Sequence, residues 1–325
     1  MKAIVQERFG PPDTLRLVDT DPPEIGSDDV LIRVHAASIN PYDWHMLRGD
    51  PLVARLMGVG LTKPKNRVAG NDVAGVVEKV GANVRAVQSG DEVFGFSRGS
   101  FAEFAGAAAN KLAPKPGGLS FEQAAALPIA ATTALRGIRD VGKVHADQRV
   151  LVNGASGGVG TFAVQIAAAL GAEVTGVCSS RNIELVRSLG AAHVIDYTTE
   201  DFTDGRTRYD VILDNMSNLP LSRLRTALTP KGILGLNGGG SPDGHVFGPI
   251  GGILRAVVTN VFVSQQLRPL PAHEKREELL AVTELIEAGT LTPIVDRTYP
   301  LADTAEGLSY VETGHARGKV VVTLA

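Results

Sequence analysis

Apolar residues follow two rhythms along this chain. Up to residue 115 they gather in short runs rich in valine and isoleucine, at Lys2–Gln6, Leu15–Val18, Val30–Ala36 and Val73–Val80. Gly-Pro-Pro at 10–12, Pro-Pro at 22–23 and Gly-Asp at 90–91 separate them. Short β-branched runs between turn residues predict the strands of a small, mostly antiparallel β domain. Near residue 120 the rhythm changes. Ser120, with Gln123 three positions on, is a candidate N-cap for an Ala-rich helix. Strands and helices then alternate: strand Arg149–Asn153, helix Gly157–Leu170, strand Glu173–Cys178, helix Ile183–Leu189, strands His193–Asp196 and Val211–Asp214, a helix ending near Leu228, and strand Ile233–Asn237. Such alternation predicts βαβ units in a doubly wound parallel sheet, so the fold class is α/β. A charged amphipathic helix over Ala272–Ala288 follows, and the tail returns to β-like sequence at Asp296–Tyr299 and Lys319–Leu324 around a helix at Ala302–Thr313. The expected division is a β domain over 1–120, completed by 290–325, and a nucleotide-binding domain over 121–289.

Composition narrows the partners. A length of 325 residues suits two domains, and 44% hydrophobic residues exclude global disorder. Lys and Arg number 32 against 35 Asp and Glu, a net charge of −3 without a basic block, which excludes nucleic acid as the main partner. The lone Cys178 forms neither an internal disulfide nor a multi-cysteine zinc site. The most apolar stretch, Val246–Val263, is broken by Gly248, Pro249, Gly251, Gly252 and Arg255, whereas a membrane span needs about 20 apolar residues. It reads as a greasy loop and short helix beside a pocket. Glu7 and Arg8 stand where a signal peptide needs an apolar run, so a cytoplasmic setting is expected.

The strongest chemical signal runs from Val150 to Gly160. An apolar strand enters the turn Gly154-Ala-Ser-Gly-Gly-Val-Gly160, which opens a helix. Glycine admits a pyrophosphate close to the backbone, and the helix N-terminus presents free N–H groups and a positive dipole end. Ser156, Gly157, Gly158 and Val159 are therefore candidate phosphate contacts. The letters also fit the GxxxGxG spacing of short-chain dehydrogenases, but none of Tyr42, Tyr197, Tyr209, Tyr299 or Tyr310 is followed by a lysine four positions on, as that family's catalytic pair requires. The next strand ends at Cys178-Ser179-Ser180-Arg181. An NAD site places an acidic residue here, about twenty residues past the glycines, to hold the ribose 2′-hydroxyl. Two hydroxyls and a guanidinium instead suit a 2′-phosphate, so NADPH is the expected cofactor.

Together with that turn, Ala37-Ser-Ile-Asn-Pro-Tyr-Asp43, Gly70-Asn-Asp-Val-Ala-Gly75, Gly90-Asp-Glu-Val-Phe-Gly95, Leu127-Pro128 with Thr133-Ala134, and Gly318-Lys-Val-Val321 resemble the zinc-free quinone oxidoreductase and 2-alkenal reductase branch of the medium-chain dehydrogenase/reductases, over essentially the whole chain. The resemblance implies a GroES-like β domain joined to a Rossmann domain, with NADPH between them. The zinc-dependent relatives carry a cysteine ligand where this chain has Asn40 and Gly-His-Glu where it has Gly70-Asn71-Asp72, so no metal is expected. It further implies that Asn40 lies at the nicotinamide, that Asp43 fixes the local turn, and that Tyr42 or His45 delivers a proton, with solvent as the alternative. Thr133, Tyr197, Asn215, Asn237, Gly238 and Lys319 carry over as cofactor contacts, whereas His193 and Cys178 read as packing. The implied activity is reduction of quinones or α,β-unsaturated carbonyls, small apolar substrates whose hydride adducts are delocalised anions that need no Lewis acid. Reduction of saturated aldehydes or ketones, and a non-catalytic NADPH-binding regulator, are the alternatives. The stretches 44–66 and 240–270 are expected to line the pocket, and a homodimer through the edge of the Rossmann sheet is expected.

Overall fold

The computed structural model describes residues 1–50, 55, 60–238 and 248–324. Two stretches expected to line the pocket therefore fall partly outside the described residues. The chain forms two compact units, one of residues 1–132, 273–289 and 293–325, the other of 133–272 and 290–292. Relative to the expected division, 121–132 and 273–289 belong with the first unit and 290–292 with the second.

The first unit is built from β1 (Lys2–Val5), β2 (Arg16–Asp19), β3 (Asp29–Ile39), helix α1 (Pro41–Arg48), β4 (Asp72–Val80), β5 (Glu92–Phe96), β6 (Phe104–Ala108) and β7 (Leu112–Pro114). The short helix α2 (Phe121–Ala125) starts at the expected Ser120 cap, whose hydroxyl accepts from Gln123 N. Helix α3 (Pro128–Leu135) then leads into the second unit. That unit runs β8 (Arg149–Asn153), α4 (Gly158–Ala169), β9 (Glu173–Cys178), α5 (Ile183–Ser188), β10 (His193–Asp196), β11 (Tyr209–Asp214), α6 (Leu221–Thr226), β12 (Leu228–Leu236), α7 (Gly248–Asn260) and β13 (Gln266–Pro269). The chain returns through α8 (Arg276–Glu287), β14 (Val295–Pro300), α9 (Thr304–Glu312) and β15 (Lys319–Thr323).

In the first unit one sheet has the order β14-β15-β3-β4-β5-β7, antiparallel except for the β14–β15 pair, with β6 also pairing β3. β3 is the spine, pairing β15, β4 and β6 along its length. Its inward Val30, Ile32, Val34 and Ile39 pack with Trp44, Leu47, Val73 and Phe101 in the core. The second unit is a six-stranded sheet, β10-β9-β8-β11-β12-β13, parallel throughout. The order reverses next to β8, which places the carboxyl ends of β8, β9 and β11 where open α/β sheets bind ligands. No helix among the described residues is long and apolar enough to cross a membrane. The apolar stretch expected to be a loop and short helix includes α7, 13 residues long, although 246–247 lie outside the described residues.

Candidate functional site

In the first unit the chemistry gathers where β3 ends and α1 begins. Pro41 occupies the first helical turn, where its missing N–H costs nothing, and the Asp43 carboxylate accepts from Asn40 N at 2.7 Å. The Asn40 side chain turns into the protein. Its Nδ2 donates to Asp72 Oδ2 at 2.9 Å and to Ser38 O at 3.4 Å, and its Oδ1 accepts from the Lys319 ammonium. Lys319, on β15, also donates to Ile39 O at 3.2 Å and lies 3.9 Å from Asp72. Asp72 accepts further from Ser38 Oγ at 2.8 Å and Ile129 N at 3.2 Å. All five of Ser38, Asn40, Asp43, Asp72 and Lys319 are buried. Burial lifts the Asp43 carboxyl to about 7 against the pull of the Asn40 amide, lifts Asp72 to about 6 against Lys319, and lowers Lys319. Lys319 thus meets the predicted Asn40, with its ammonium engaged inside its own unit.

Tyr42 and His45 sit on α1. Tyr42 is half-exposed, and desolvation, with the nearby Asp43 and Glu274 carboxylates, raises its pKa, so the phenol keeps its proton at neutral pH. His45 stacks on Trp44, and its Nδ1 lies 3.1 Å from Asp50 O. A carbonyl only accepts, so Nδ1 carries the proton in this contact; burial lowers the imidazole pKa, leaving Nε2 an acceptor. His45 in this state is not a proton donor. Tyr42 also borders a cavity of about 520 Å³ with Asp43, Met46, Asn71, Lys111 and Glu274. Glu274 accepts from Asn71 Nδ2 at 2.9 Å and pairs with Lys111, so the returning chain lines one side of this cavity.

In the second unit the predicted turn has the expected shape. Gly154 takes φ +77, a left-handed value that only glycine adopts readily, and a Cβ on Gly160 would stand 2.0 Å from Gly154 O. Ser156, Gly157, Gly158 and Val159 form the turn and the start of α4. Asn182 bridges the turn to the end of β9, donating to Ser156 Oγ at 3.0 Å and Ser179 Oγ at 3.3 Å. Arg181 is exposed beyond it. Tyr197, exposed after β10, donates its N–H to Cys178 O at 3.1 Å and so stands at the same edge. A second chain of amides crosses β8, β11 and β12. Asn237 donates to Asn215 Oδ1 at 2.9 Å, Asn215 to Asn153 O at 3.1 Å, and Asn153 to Asp214 Oδ1 at 2.8 Å. Gly238 follows at φ +60, and Thr133 is half-buried in α3. Cys178 is buried as expected, but His193 is exposed and faces Glu173 at 2.8 Å instead of packing. Sequence reasoning missed Ser38, Asp72 and Glu274 in the first unit, and Asn153, Asn182, Asp196 and Asp214 in the second. Asn182, next to the Ser-Ser-Arg run, and Ser38 and Asp72, inside the family-like stretches, carried a local signal.

Residues 26–117 match the alcohol dehydrogenase GroES-like domain, and residues 189–322 match the family described as zinc-binding dehydrogenase. A mitochondrial NAD(P)H oxidoreductase of Mus musculus, RTN4IP1, is 35% identical, with 100% of this chain and 89% of the relative covered. The chloroplastic NADPH-dependent alkenal/one oxidoreductase of Arabidopsis thaliana is 34% identical over 99% of this chain and 79% of its own length. Among solved structures, the quinone oxidoreductase of Coxiella burnetii superposes with a TM-score of 0.87 at 30% identity, covering 100% of this chain and 99% of that one. The chain belongs to the medium-chain dehydrogenase/reductase superfamily. Within it, the chain falls in the quinone oxidoreductase and alkenal reductase branch.

Medium-chain dehydrogenase/reductases imply a dinucleotide and, in some branches, zinc, and the residues fit the two differently. Gly157 has φ −84, and a Cβ there would meet only Gly154 O, at 3.5 Å. The backbone tolerates a side chain, so the glycine keeps space free beside the first amides of α4. Buried Asn182 Oδ1 and Asp214 Oδ2, at the same sheet edge, find no partner among the described residues. A cradle with free amides and open acceptors fits a dinucleotide. Zinc does not fit. At the two diverged ligand positions stand the amides Asn40 and Asn71, and the Asn40 oxygen already faces the Lys319 ammonium. Among the described residues no group of three His, Cys, Asp or Glu gathers as a metal site.

Proposed function

We propose that this chain is a zinc-independent oxidoreductase that uses NADPH to reduce quinones or α,β-unsaturated carbonyls. One observation carries the reading: an ammonium and amides, Lys319, Asn40 and Asn71, stand where a Lewis acid would be assembled, and Asn40 caps the helix that holds a protonated phenol, Tyr42. A saturated alcohol gives up hydride readily only once ionised, which calls for a metal or a base. Reduction of a conjugated acceptor asks only for positioning and a proton.

Bound NADPH supplies the hydride. Ser156, Gly157, Gly158 and Val159 would hold the pyrophosphate, Ser179 and Arg181 would take the 2′-phosphate with Ser180 and Tyr197 beside it, and Thr133, Asn215, Asn237 and Gly238 would line the rest of the cofactor. Asn40, locked by Lys319 and Asp72, fixes the start of α1, so Tyr42 is presented in one position, with its O–H as the proton donor. The 520 Å³ cavity bordered by Tyr42 suits a small substrate. The relatives' printed names, an alkenal/one oxidoreductase and a quinone oxidoreductase, support the same substrate class. A homodimer through the β13 edge is part of this reading, supported by the exposed Val257, Val258, Val261 and Phe262 near that edge. So is a cytoplasmic, reducing setting, supported by the single free thiol, Cys178.

The test is NADPH oxidation with quinones, enals and saturated aldehydes, alongside NADP⁺ reduction with saturated alcohols. Conjugated acceptors should give the highest kcat/KM, and Tyr42→Phe should lower kcat on them by about 10²-fold or more. Saturated aldehydes as the best substrates would establish the second activity. NADPH binding without any turnover would make the chain a regulator.

A further inference from the structure

An acidic residue reaches the end of β9 after all, from the neighbouring strand. β10 pairs with β9 in a register that sets Asp196 opposite Cys178, one residue before Ser179. Asp196 Oδ2 accepts from Ser180 Oγ at 2.5 Å, and its Oδ1 accepts from Thr198 N at 3.0 Å and Thr198 Oγ1 at 2.7 Å. Asp196 is buried and Ser180 exposed. These donors, the Ser180 hydroxyl foremost, hold the Asp196 carboxyl below its ordinary range, so it stays ionised and only accepts. A hydroxyl owns one proton, and that of Ser180 is committed to Asp196. What Ser180 offers outward is its lone pairs.

We propose that Asp196 is a specificity-determining residue of the dinucleotide site. By taking the Ser180 proton it leaves Ser180 an acceptor, matched to a ribose 2′-hydroxyl and mismatched to a 2′-phosphate. The preference for NADPH then rests on Ser179 and Arg181, and NADH remains a second, weaker ligand. The inference rests on the reading of this edge as the adenosine-ribose end of the site. A 2′-phosphate dianion accepts hydrogen bonds and donates none at neutral pH, so a serine without a free proton adds nothing to its binding. A 2′-hydroxyl can donate to the same oxygen. The Asp196 carboxylate also opposes the phosphate by charge.

The experiment is fluorescence titration of NADPH and NADH, without substrate, into wild type, Ser180→Ala, Asp196→Asn, the double variant and Arg181→Ala. A free serine proton on a phosphate is worth about tenfold or more in affinity. Ser180→Ala should therefore change the NADPH Kd by less than about twofold in the wild-type background while raising the NADH Kd. Asp196→Asn should tighten NADPH about tenfold relative to NADH, and in that background Ser180→Ala should cost about tenfold for NADPH. A tenfold loss of NADPH on Ser180→Ala in the wild-type background, or an unchanged NADPH-to-NADH ratio in Asp196→Asn, would overturn the proposal. Should Asp196→Asn fail to fold, the exposed Ser180 variant alone decides. Arg181→Ala separates the two levels. If it weakens NADPH alone, the edge is the phosphate end and only the Asp196 role is under test. If it leaves NADPH binding intact, the reading of the edge and the proposal fall together.

Discussion

Every polar atom of Asn40 is engaged within the protein, and this changes what its neighbours must do. The side chain ties the sequence-distant Asp72 and Lys319, and the nearby Ser38 carbonyl, to the start of α1, while its backbone amide satisfies Asp43. Two carboxyls and one ammonium share this buried cluster, so ionising both acids leaves an uncompensated charge away from water. Burial foremost, with the Asp72 charge adding to it, lifts Asp43 to about 7 from its ordinary 3.8. A raised folded-state pKa means that the folded chain holds the proton more tightly than the unfolded one. The stabilisation is complete below about pH 4 and is lost as pH rises through about 7. Asp43→Asn keeps an oxygen for the Asn40 N–H and cannot ionise. Urea unfolding should show wild type losing on the order of 2–4 kcal/mol relative to Asp43→Asn between pH 4 and 8. A difference that stays flat over that range would show that Asp43 keeps one protonation state throughout. The importance of Asn40 was legible in the sequence from its motif; its partners were not, because Asp72 and Lys319 reach it only through the β3–β4 and β3–β15 pairings.

At the scale of elements, β8, β9 and β10 lie where the apolar runs put them; β8 and β9, buried on both faces, read as continuous hydrophobic stretches. β13, Gln-Leu-Arg-Pro, escaped notice: an edge strand of four residues ending in proline carries neither alternation nor a run. β6 and β7, Phe-Ala-Gly-Ala-Ala and Leu-Ala-Pro, escaped for their small residues and shortness. The turn between β8 and α4 was legible because each glycine answers a local need, and the structure separates those needs. Gly160 serves packing, since a methyl there drives into the backbone of Gly154 and Ala155; Gly157 serves access, since a methyl there makes only an ordinary contact with Gly154 O. Gly160→Ala should therefore lower stability by about 1–3 kcal/mol. Gly157→Ala should stay within about 1 kcal/mol of wild type yet weaken NADPH and NADH alike, because both share the pyrophosphate. Melting curves and the two cofactor titrations check the pair. A Gly157 variant that binds both cofactors normally would remove the turn from the binding site. What no turn motif reveals is Asp196, which reaches the Ser179–Arg181 corner through strand register.

For the whole chain, the return of the tail is the organising event. The sequence showed the tail resembling the opening segment, and β15 does pair with β3. It did not show that 273–289 also comes back with it, because an amphipathic pattern in α8 announces a buried face without naming what covers it. The return delivers Glu274 to Asn71 and Lys111, and Lys319 to Asn40 and Asp72. The ends of the chain thus place a fixed positive charge in the first unit at the residue aligned with a zinc ligand. A structural or catalytic zinc takes at least three His, Cys or carboxylate ligands, and a dication beside a buried ammonium meets repulsion that the local low dielectric magnifies. Elemental analysis of the purified protein should find well under one zinc per chain, and prolonged exposure to a strong chelator should leave NADPH-dependent turnover unchanged. Lys319→Met makes the test sharper. Removing the ammonium leaves Asp72 buried without its countercharge, which costs on the order of 3–5 kcal/mol of stability, and Asp72→Asn in the same chain should return part of that loss. Neither variant should gain zinc-dependent activity, because Asn40 and Asn71 remain amides. Stoichiometric zinc in wild type, lost to the chelator together with turnover, would show that the ligands lie elsewhere and that the ammonium is not a substitute for the metal.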